Sequence, residues 1–132
     1  TLINFASYSI SRNEIFSKPS LFLNVTFLDL SNSKIGDFGV TSFVSHFKKL
    51  NILNISDNNI GKNLIGEVNA ISKISTLTSL NIRKNHFSNQ SAEQLANLTN
   101  LTFLDISLNP ISDKFTINKI KQLPKLNELI IN

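Results

Sequence analysis

The sequence predicts an α/β solenoid, a horseshoe arc in which about six short parallel strands line the concave side and helices line the convex side. A segment of similar composition recurs along the chain, starting at residues 5, 25, 50, 77, 101 and 126. Within each copy apolar and polar residues alternate, which favours a strand with one buried face. Between copies, apolar residues recur at helical spacing.

The recurring segment follows the pattern L-x-x-L-x-L-x-x-N-x-L. Its ninth place holds Asn13, Asn58, Asn85 and Asn109, with Ser33 as the exception. An amide can both donate to and accept from backbone groups that a turn leaves unpaired, so we expect these asparagines to be buried structural residues. The copies are FASYSISRNEI (5–15), VTFLDLSNSKI (25–35), LNILNISDNNI (50–60), LTSLNIRKNHF (77–87), LTFLDISLNPI (101–111) and the shorter LNELIIN (126–132).

The pattern and its spacing resemble those of the leucine-rich repeat family. Repeats long enough to hold helices are similar to the ribonuclease-inhibitor-like class, and I-G-D-F-G-V at residues 35–40 resembles GALA-type repeats of bacterial pathogen effectors. The resemblance implies one leucine-rich repeat domain over residues 1–132, with about five repeats and a terminal strand, that binds a protein on its concave face. It further implies an effector, secreted into host cytosol, that masks a partner enzyme. GALA-type proteins are also associated with an F-box, which the residues before Phe5 do not resemble, so the ubiquitin-ligase adaptor role is not extended to this chain.

Two stretches between the strands have helical spacing. In residues 35–49 one face would be lined by apolar side chains, and SNQSAEQLANL (88–98) carries Leu95 and Leu98 on one side. Such faces predict helices that pack their apolar side against the core on the convex side of the sheet. The apolar residues expected on the first of these faces are Phe38, Val40, Phe43, Val44 and Phe47.

The composition excludes several function classes. The 132 residues include no cysteine, which removes thiol catalysis, disulfides and cysteine-based zinc sites. No apolar run reaches the roughly 18 residues that span a bilayer, so we expect a soluble chain without a membrane partner. The net charge of +4 comes from lysines dispersed between Lys18 and Lys125, as on an ordinary solvated surface.

The sequence does not predict an enzyme. Its two histidines, His46 and His86, fall on a helix and in a turn after a strand, and would not share a metal or a proton relay. No glycine-rich phosphate loop is present, and the serines lack a base at definable spacing. We therefore expect no catalytic residue, no metal, no cofactor and no small-molecule substrate.

Side chains at the third, fifth and seventh places of each strand should point out of the concave sheet, with the eighth at its rim. We call the residues that share a place across the repeats a column. The third column begins with Ser7 in this alignment and contains Phe27, Ile52 and Phe103, which are apolar where polar residues are easier to solvate. The candidate protein-binding residues are Phe27, Asp29, Ile52, Asn54, Asn81, Arg83, Lys84, Phe103, Asp105, Leu108, Glu128 and Ile130.

Three functions remain open for this face. Six strands about 4.8 Å apart span about 24 Å, enough to hold a protein, either a host protein or a co-secreted bacterial enzyme that is inhibited. A scaffold or adaptor that recruits a host protein fits the same surface. Nucleic acid is a further alternative, disfavoured because the cations are interleaved with carboxylates that repel phosphate. The cations concerned are Arg12, Arg83 and Lys84, and the carboxylates are those of Asp29, Asp57, Asp105 and Glu128.

Overall fold

Six short parallel strands form the framework of the molecule. A computed structural model of the protein describes residues 1–4, 6, 19–36, 40, 46–62 and 70–132. All strands pair side by side in chain order within one sheet, which confirms the predicted solenoid. The strands are β1 (Leu2–Asn4), β2 (Phe27–Asp29), β3 (Ile52–Asn54), β4 (Ser79–Asn81), β5 (Phe103–Asp105) and β6 (Glu128–Ile130).

The pairing register places equivalent positions of the repeats opposite one another. Phe27 lies opposite Ile52, which lies opposite Ser79 on the next strand. Because every strand is parallel to its neighbours, side chains of one column stand in a row across the sheet. The third column is Leu2, Phe27, Ile52, Ser79, Phe103 and Glu128.

The predicted alignment of the first repeat is wrong by five residues. Leu2, and not Ser7, lies opposite Phe27. The first strand is held by Asn4, whose Oδ1 accepts a hydrogen bond from the N–H of Ala6 at 2.8 Å. The segment 5–15 satisfies the apolar pattern too, which is why alternation alone selected it. Ser9, Ser11, Arg12 and Asn13, which that alignment placed on the strand and its turn, lie outside the described residues.

The core lies behind the sheet, under the first, fourth and sixth columns. These side chains point away from the concave face and pack between successive repeats, and each is at most 2% exposed. Their burial in the predicted places confirms the alignment from the second to the fifth repeat. They are Val25, Leu28, Leu30, Leu50, Leu53, Ile55, Leu77, Leu80, Ile82, Leu101, Leu104 and Ile106.

Three described repeats turn away from the sheet at a ninth-place asparagine, which is Asn58, Asn85 or Asn109. Asn58 Oδ1 accepts hydrogen bonds from the N–H groups of Ser33 at 2.9 Å and Ile35 at 3.2 Å, in the repeat before it. Its Nδ2 donates to the carbonyls of Leu30 at 2.7 Å and Ile55 at 3.1 Å. Asn58 is buried. The expected structural role is therefore confirmed, since the amide pairs backbone groups of two adjacent turns.

Asn85 and Asn109 repeat this arrangement. Asn85 Oδ1 accepts from the N–H of Asn58 at 3.1 Å and of Ile60 at 3.0 Å. Asn109 Oδ1 accepts from the N–H of Phe87 at 3.0 Å. We refer to Asn58, Asn85 and Asn109 as the asparagine ladder.

Helices cover the side of the core opposite the sheet. α1 spans Asn89–Glu93. Its N-cap is Ser88, whose side chain accepts from the N–H of Ser91, and a 3₁₀ helix (Gln94–Asn97) continues it. α2 spans Lys114–Lys121, and its N-cap is Asp113. A separate 3₁₀ helix (Pro19–Phe22) precedes β2.

The helix expected within residues 88–98 is thus confirmed, with Leu95 and Leu98 buried. In the segment 35–49, Val40 and Phe47 are buried as expected, and Phe38, Phe43 and Val44 lie outside the described residues. In the part of the chain that the structure describes, no helix has the length and apolarity to cross a membrane.

Candidate functional site

The concave face carries a row of apolar side chains across three neighbouring strands. Leu2 is 66% exposed, Ile52 is 38% exposed, and Phe27 between them is half-buried. The register sets the three side by side, with strands about 4.8 Å apart. We call Leu2, Phe27 and Ile52 the apolar row. Phe103, also half-buried, stands two strands further along the same column.

Leu2 was missed from the sequence because the first repeat was misaligned. The signal that identifies it is Asn4, since aspartate or asparagine fills the fifth place of the next four strands. Aligning Asn4 with Asp29 also makes the first interval 25 residues, equal to the next one. The apolar row is therefore contiguous, whereas the original alignment ended it at Phe27.

The fifth column supports the backbone just beyond each strand. Asp29 Oδ1 accepts from the N–H of Ser31 at 2.9 Å, and Asn54 Oδ1 accepts from that of Ser56 at 3.1 Å. Asn81 does the same for Arg83 at 2.9 Å. These side chains form local turns in which one oxygen is already bound, so a partner could reach only their remaining polar atoms.

Asp105 completes this column and is the most enclosed of the candidate residues. It is 5% exposed, and its Oδ1 accepts from both the N–H of Ser107, at 2.9 Å, and the Ser107 hydroxyl, at 2.6 Å. A carboxylate held in this way organises the end of β5. Its contact with a partner stays a prediction and would be indirect.

The two adjacent cations after β4 have different surroundings. Lys84 Nζ lies 2.8 Å from Asp57 Oδ2, an exposed ion pair between neighbouring repeats. Arg83 is exposed, and its Nη1 donates to Ser107 Oγ at 2.9 Å. The charge of Lys84 is thus balanced within the chain, while the guanidinium of Arg83 is anchored on a neutral hydroxyl.

The eighth column turns the chain through the left-handed region of backbone conformation. Asn32, Asp57 and Lys84 have φ values of 51°, 55° and 55°, and Leu108 has φ 53°. For a side chain such as leucine this conformation costs about 1–2 kcal/mol. Leu108 is nevertheless 46% exposed, so an apolar group stands at the rim beside the seventh column.

The remaining candidates lie on β6. Glu128 is exposed and Ile130 is half-buried. Beside this strand is an open groove of about 320 Å³. Its lining includes Leu126, Leu129 and Ile131, whose counterparts in the preceding repeats are buried. The groove therefore follows from the lateral edge of the sheet and is separate from the apolar row.

The described residues contain no group of three or more histidine, cysteine, aspartate or glutamate side chains placed to hold a metal ion. His86 Nε2 lies 3.3 Å from Asn59 Oδ1, so it contacts the amide of the preceding turn. The pKa of Asp113 is lowered by the hydrogen bonds that its carboxylate accepts from the N–H and then the hydroxyl of Thr116. That group begins α2 and is remote from the concave strands.

The class of protein is defined by a parallel sheet with an asparagine ladder and a regular core behind it. A family model described as "Leucine Rich repeat" matches residues 23–44, 48–63, 73–96 and 97–114, which together make up more than half of the chain. The chain belongs to the leucine-rich repeat family. Domains of this family generally bind other proteins and are typically not enzymes.

Among solved structures, an internalin from Listeria monocytogenes is similar, with 27% identity and a TM-score of 0.65 over 88% of this chain and 31% of that one. Actin-binding site 2 of leiomodin-1 has 19% identity and a TM-score of 0.67, covering 96% of this chain and 80% of that one, and it shows the shared fold.

One curated relative is an adenylate cyclase of Schizosaccharomyces pombe, 28% identical over 125 residues, which are 92% of this chain. The chain spans 7% of the length of that relative.

Proposed function

We propose that this chain binds another protein through its concave face. The observation that carries the proposal is the apolar row, in which three large apolar side chains stand side by side on a surface whose other columns are mostly polar. A contiguous exposed apolar patch within a polar rim is typical of protein interfaces. The general role of the family supports the same function.

The charges of the face favour a protein over nucleic acid. The lysine at its rim is paired with Asp57, and the carboxylates of half-buried Asp29 and exposed Glu128 stand on either side of β4. Phosphate-driven binding needs several unpaired cations along one track. A protein can match a mixed surface by presenting charges of both signs.

The decisive experiment changes the two most exposed members of the apolar row, Leu2→Arg together with Ile52→Arg. Both side chains reach solvent, so the variant should fold as the wild type does, checked by circular dichroism and thermal unfolding. Phe27 and Phe103 are less suitable, because they are half-buried and an arginine there would disturb the sheet. We expect the double variant to lose the partner that the wild type captures from host and bacterial lysates.

The matched control is Phe115→Arg. Phe115 is 66% exposed, the same as Leu2, but it lies on α2 on the opposite side of the core. This control separates loss of the concave surface from a general loss of surface hydrophobicity. A partner retained by Phe115→Arg and lost by the concave variant defines the site, and equal capture by all three proteins would refute it.

A sharper form of the proposal is a bacterial effector that masks a partner enzyme, from the host or co-secreted. Its support is the resemblance of residues 35–40 to GALA-type repeats and the similarity to a bacterial internalin. A scaffold that recruits a host protein is the alternative. Adding the purified chain to a captured enzyme distinguishes them, because masking lowers the enzyme's turnover in proportion to the chain bound, whereas recruitment leaves it unchanged.

A further inference from the structure

Arg83 is a cation held in a fixed position on the concave face. The other members of its column are small or neutral. Arg83 Nη1 donates to Ser107 Oγ at 2.9 Å, and Ser107 donates its own proton to Asp105 Oδ1 at 2.6 Å. Ser107 is buried, so the anchor of the guanidinium belongs to the rigid sheet. The rest of the seventh column is Ala6, Ser31, Ser56, Ser107 and Asn132.

The charge of Arg83 is not balanced by a direct contact. Among the residues that the structure describes, the ion pairs join Lys84 to Asp57 and Lys119 to Glu93, and Arg83 takes part in neither. A guanidinium has five N–H donors, and only the Nη1 contact with Ser107 uses one here. The others can face a carboxylate, whose two oxygens match the planar fork of arginine.

The apolar row begins one strand away from Arg83. Ile52 stands in the third column of β3, and Arg83 stands in the seventh column after β4. One strand spacing of about 4.8 Å and four residues of about 3.3 Å each put the two positions about 14 Å apart. A single bound segment can therefore reach both.

We infer that the partner presents a protein segment that places an aspartate or glutamate carboxylate on Arg83 and a large apolar side chain on the apolar row, about 14 Å away. This inference rests on the proposed function and adds the chemistry of the segment. A phosphate-bearing partner fits less well, because phosphate-driven binding needs several unpaired cations and Lys84, the cation next to Arg83, is already paired with Asp57.

The test is a selection from displayed random peptides of about 16 residues, long enough to span that distance as a strand or a helix. We expect peptides selected on the wild type to combine acidic and large apolar residues. Their affinity for Arg83→Glu should fall about tenfold or more, since a charge-assisted contact becomes a repulsion. Lys73→Glu, an equal charge change at an exposed residue outside the concave strands, is the control and should leave affinity unchanged.

A charge swap sharpens the result. Replacing the acidic residue of a selected peptide by lysine should lower affinity for the wild type and restore affinity for Arg83→Glu. Failure to select any peptide, or selected peptides that bind Arg83→Glu as well as the wild type, would overturn the inference. If those peptides still lose binding to the Leu2→Arg and Ile52→Arg variant, the concave-face proposal stands without the acidic contact.

Discussion

Asn85 Oδ1 accepts a hydrogen bond from the backbone N–H of Asn58 at 3.1 Å, so one asparagine of the ladder holds the turn that contains the asparagine before it. Asn85 Nδ2 donates to the carbonyls of Ile55 and Ile82, in the two repeats that it joins. The side chain is buried, and no water would replace all of these contacts without opening the turn.

Asn85→Ala should therefore lower the free energy of unfolding by about 3 kcal/mol or more, because several buried backbone groups would lose their hydrogen-bond partner at once. Urea unfolding followed by circular dichroism measures the change. Asn127→Ala, at an exposed asparagine beside β6, is the matched control and should change stability by less than about 0.5 kcal/mol. Equal effects of the two substitutions would contradict the assigned role of the ladder.

Gly61 and Gly36 both have positive φ, but only Gly61 lacks room for a side chain, so the two separate steric crowding from backbone strain. Gly61 has φ +93°, and a Cβ there would lie 2.9 Å from the carbonyl carbon and oxygen of His86. Gly36 has φ +58°, with nothing within 4 Å of its Cβ position. We expect Gly36→Ala to cost about 1–2 kcal/mol from conformation alone, and Gly61→Ala to cost at least about 3 kcal/mol because the backbone of the next repeat must also move.

Thermal unfolding of the two alanine variants provides the measurement. The order of their melting temperatures, with Gly61→Ala below Gly36→Ala, is the expected result. A Gly61→Ala protein as stable as Gly36→Ala would mean that the two repeats do not approach as closely as the structure shows.

Asp113 should make stability depend on pH through the start of α2. Its pKa is lowered from the ordinary value of 3.8, because the ionised carboxylate accepts hydrogen bonds from Thr116. The contribution is therefore fully present above the unfolded-state pKa and is lost as the pH falls through the lower folded-state pKa. Asp113→Asn keeps an oxygen that can cap the helix but does not titrate.

The melting temperature of the wild type minus that of Asp113→Asn should be constant from pH 7 to about pH 5 and should decrease as the pH falls below about 4. Differential scanning calorimetry across this range measures it. A difference that does not change with pH would show that the charge of Asp113 contributes nothing to the cap.

The exposed pair of Lys84 and Asp57 should contribute little to stability despite its separation of 2.8 Å. Water and salt screen exposed pairs, so a double-mutant cycle with alanine at both positions should give a coupling energy below about 1 kcal/mol. Chemical unfolding at low and high ionic strength checks this value. A coupling above about 2 kcal/mol that persists in high salt would indicate a pair shielded from solvent.

Partner binding should resist salt if the apolar row provides most of its affinity. Electrostatic attachment to phosphate weakens steeply with salt, whereas burial of apolar surface does not. We expect a captured partner to remain bound at about 0.5 M salt, measured by biolayer interferometry, with only the contribution of Arg83 reduced. Loss of most of the affinity over that range would favour the nucleic-acid alternative.

Much of the fold could be predicted because the repeat imposes the same requirement many times. Leu53, Leu80 and Leu104 occupy equivalent places, so an error at one copy is corrected by the others. The first repeat can be compared with a repeat on one side only, and its alternating residues fit two alignments with that repeat. The fifth-place asparagine distinguishes them, but its hydrogen bond to Ala6 becomes evident only in three dimensions.

The candidate site was less predictable, since outward-facing columns do not reveal how neighbouring side chains interact. Arg83 and Lys84 are adjacent in sequence and equally basic, yet one rests on Ser107 and the other pairs with Asp57. Both partners lie in other repeats, 24 and 27 residues away. The enclosure of Asp105 likewise depends on Ser107, which alternation predicted to be an outward residue.

The asparagine ladder also gives the molecule a direction. The N–H groups of Ser33, Asn58 and Phe87 are each bonded to a side chain that belongs to the following repeat, never to the preceding one. Opening of a repeat that carries a ladder asparagine therefore exposes turn amides of the repeat on its N-terminal side. Hydrogen exchange at one of these turns reports on its C-terminal neighbour, and local unfolding that starts at the repeat of Asn109 is transmitted towards the N-terminus along the array.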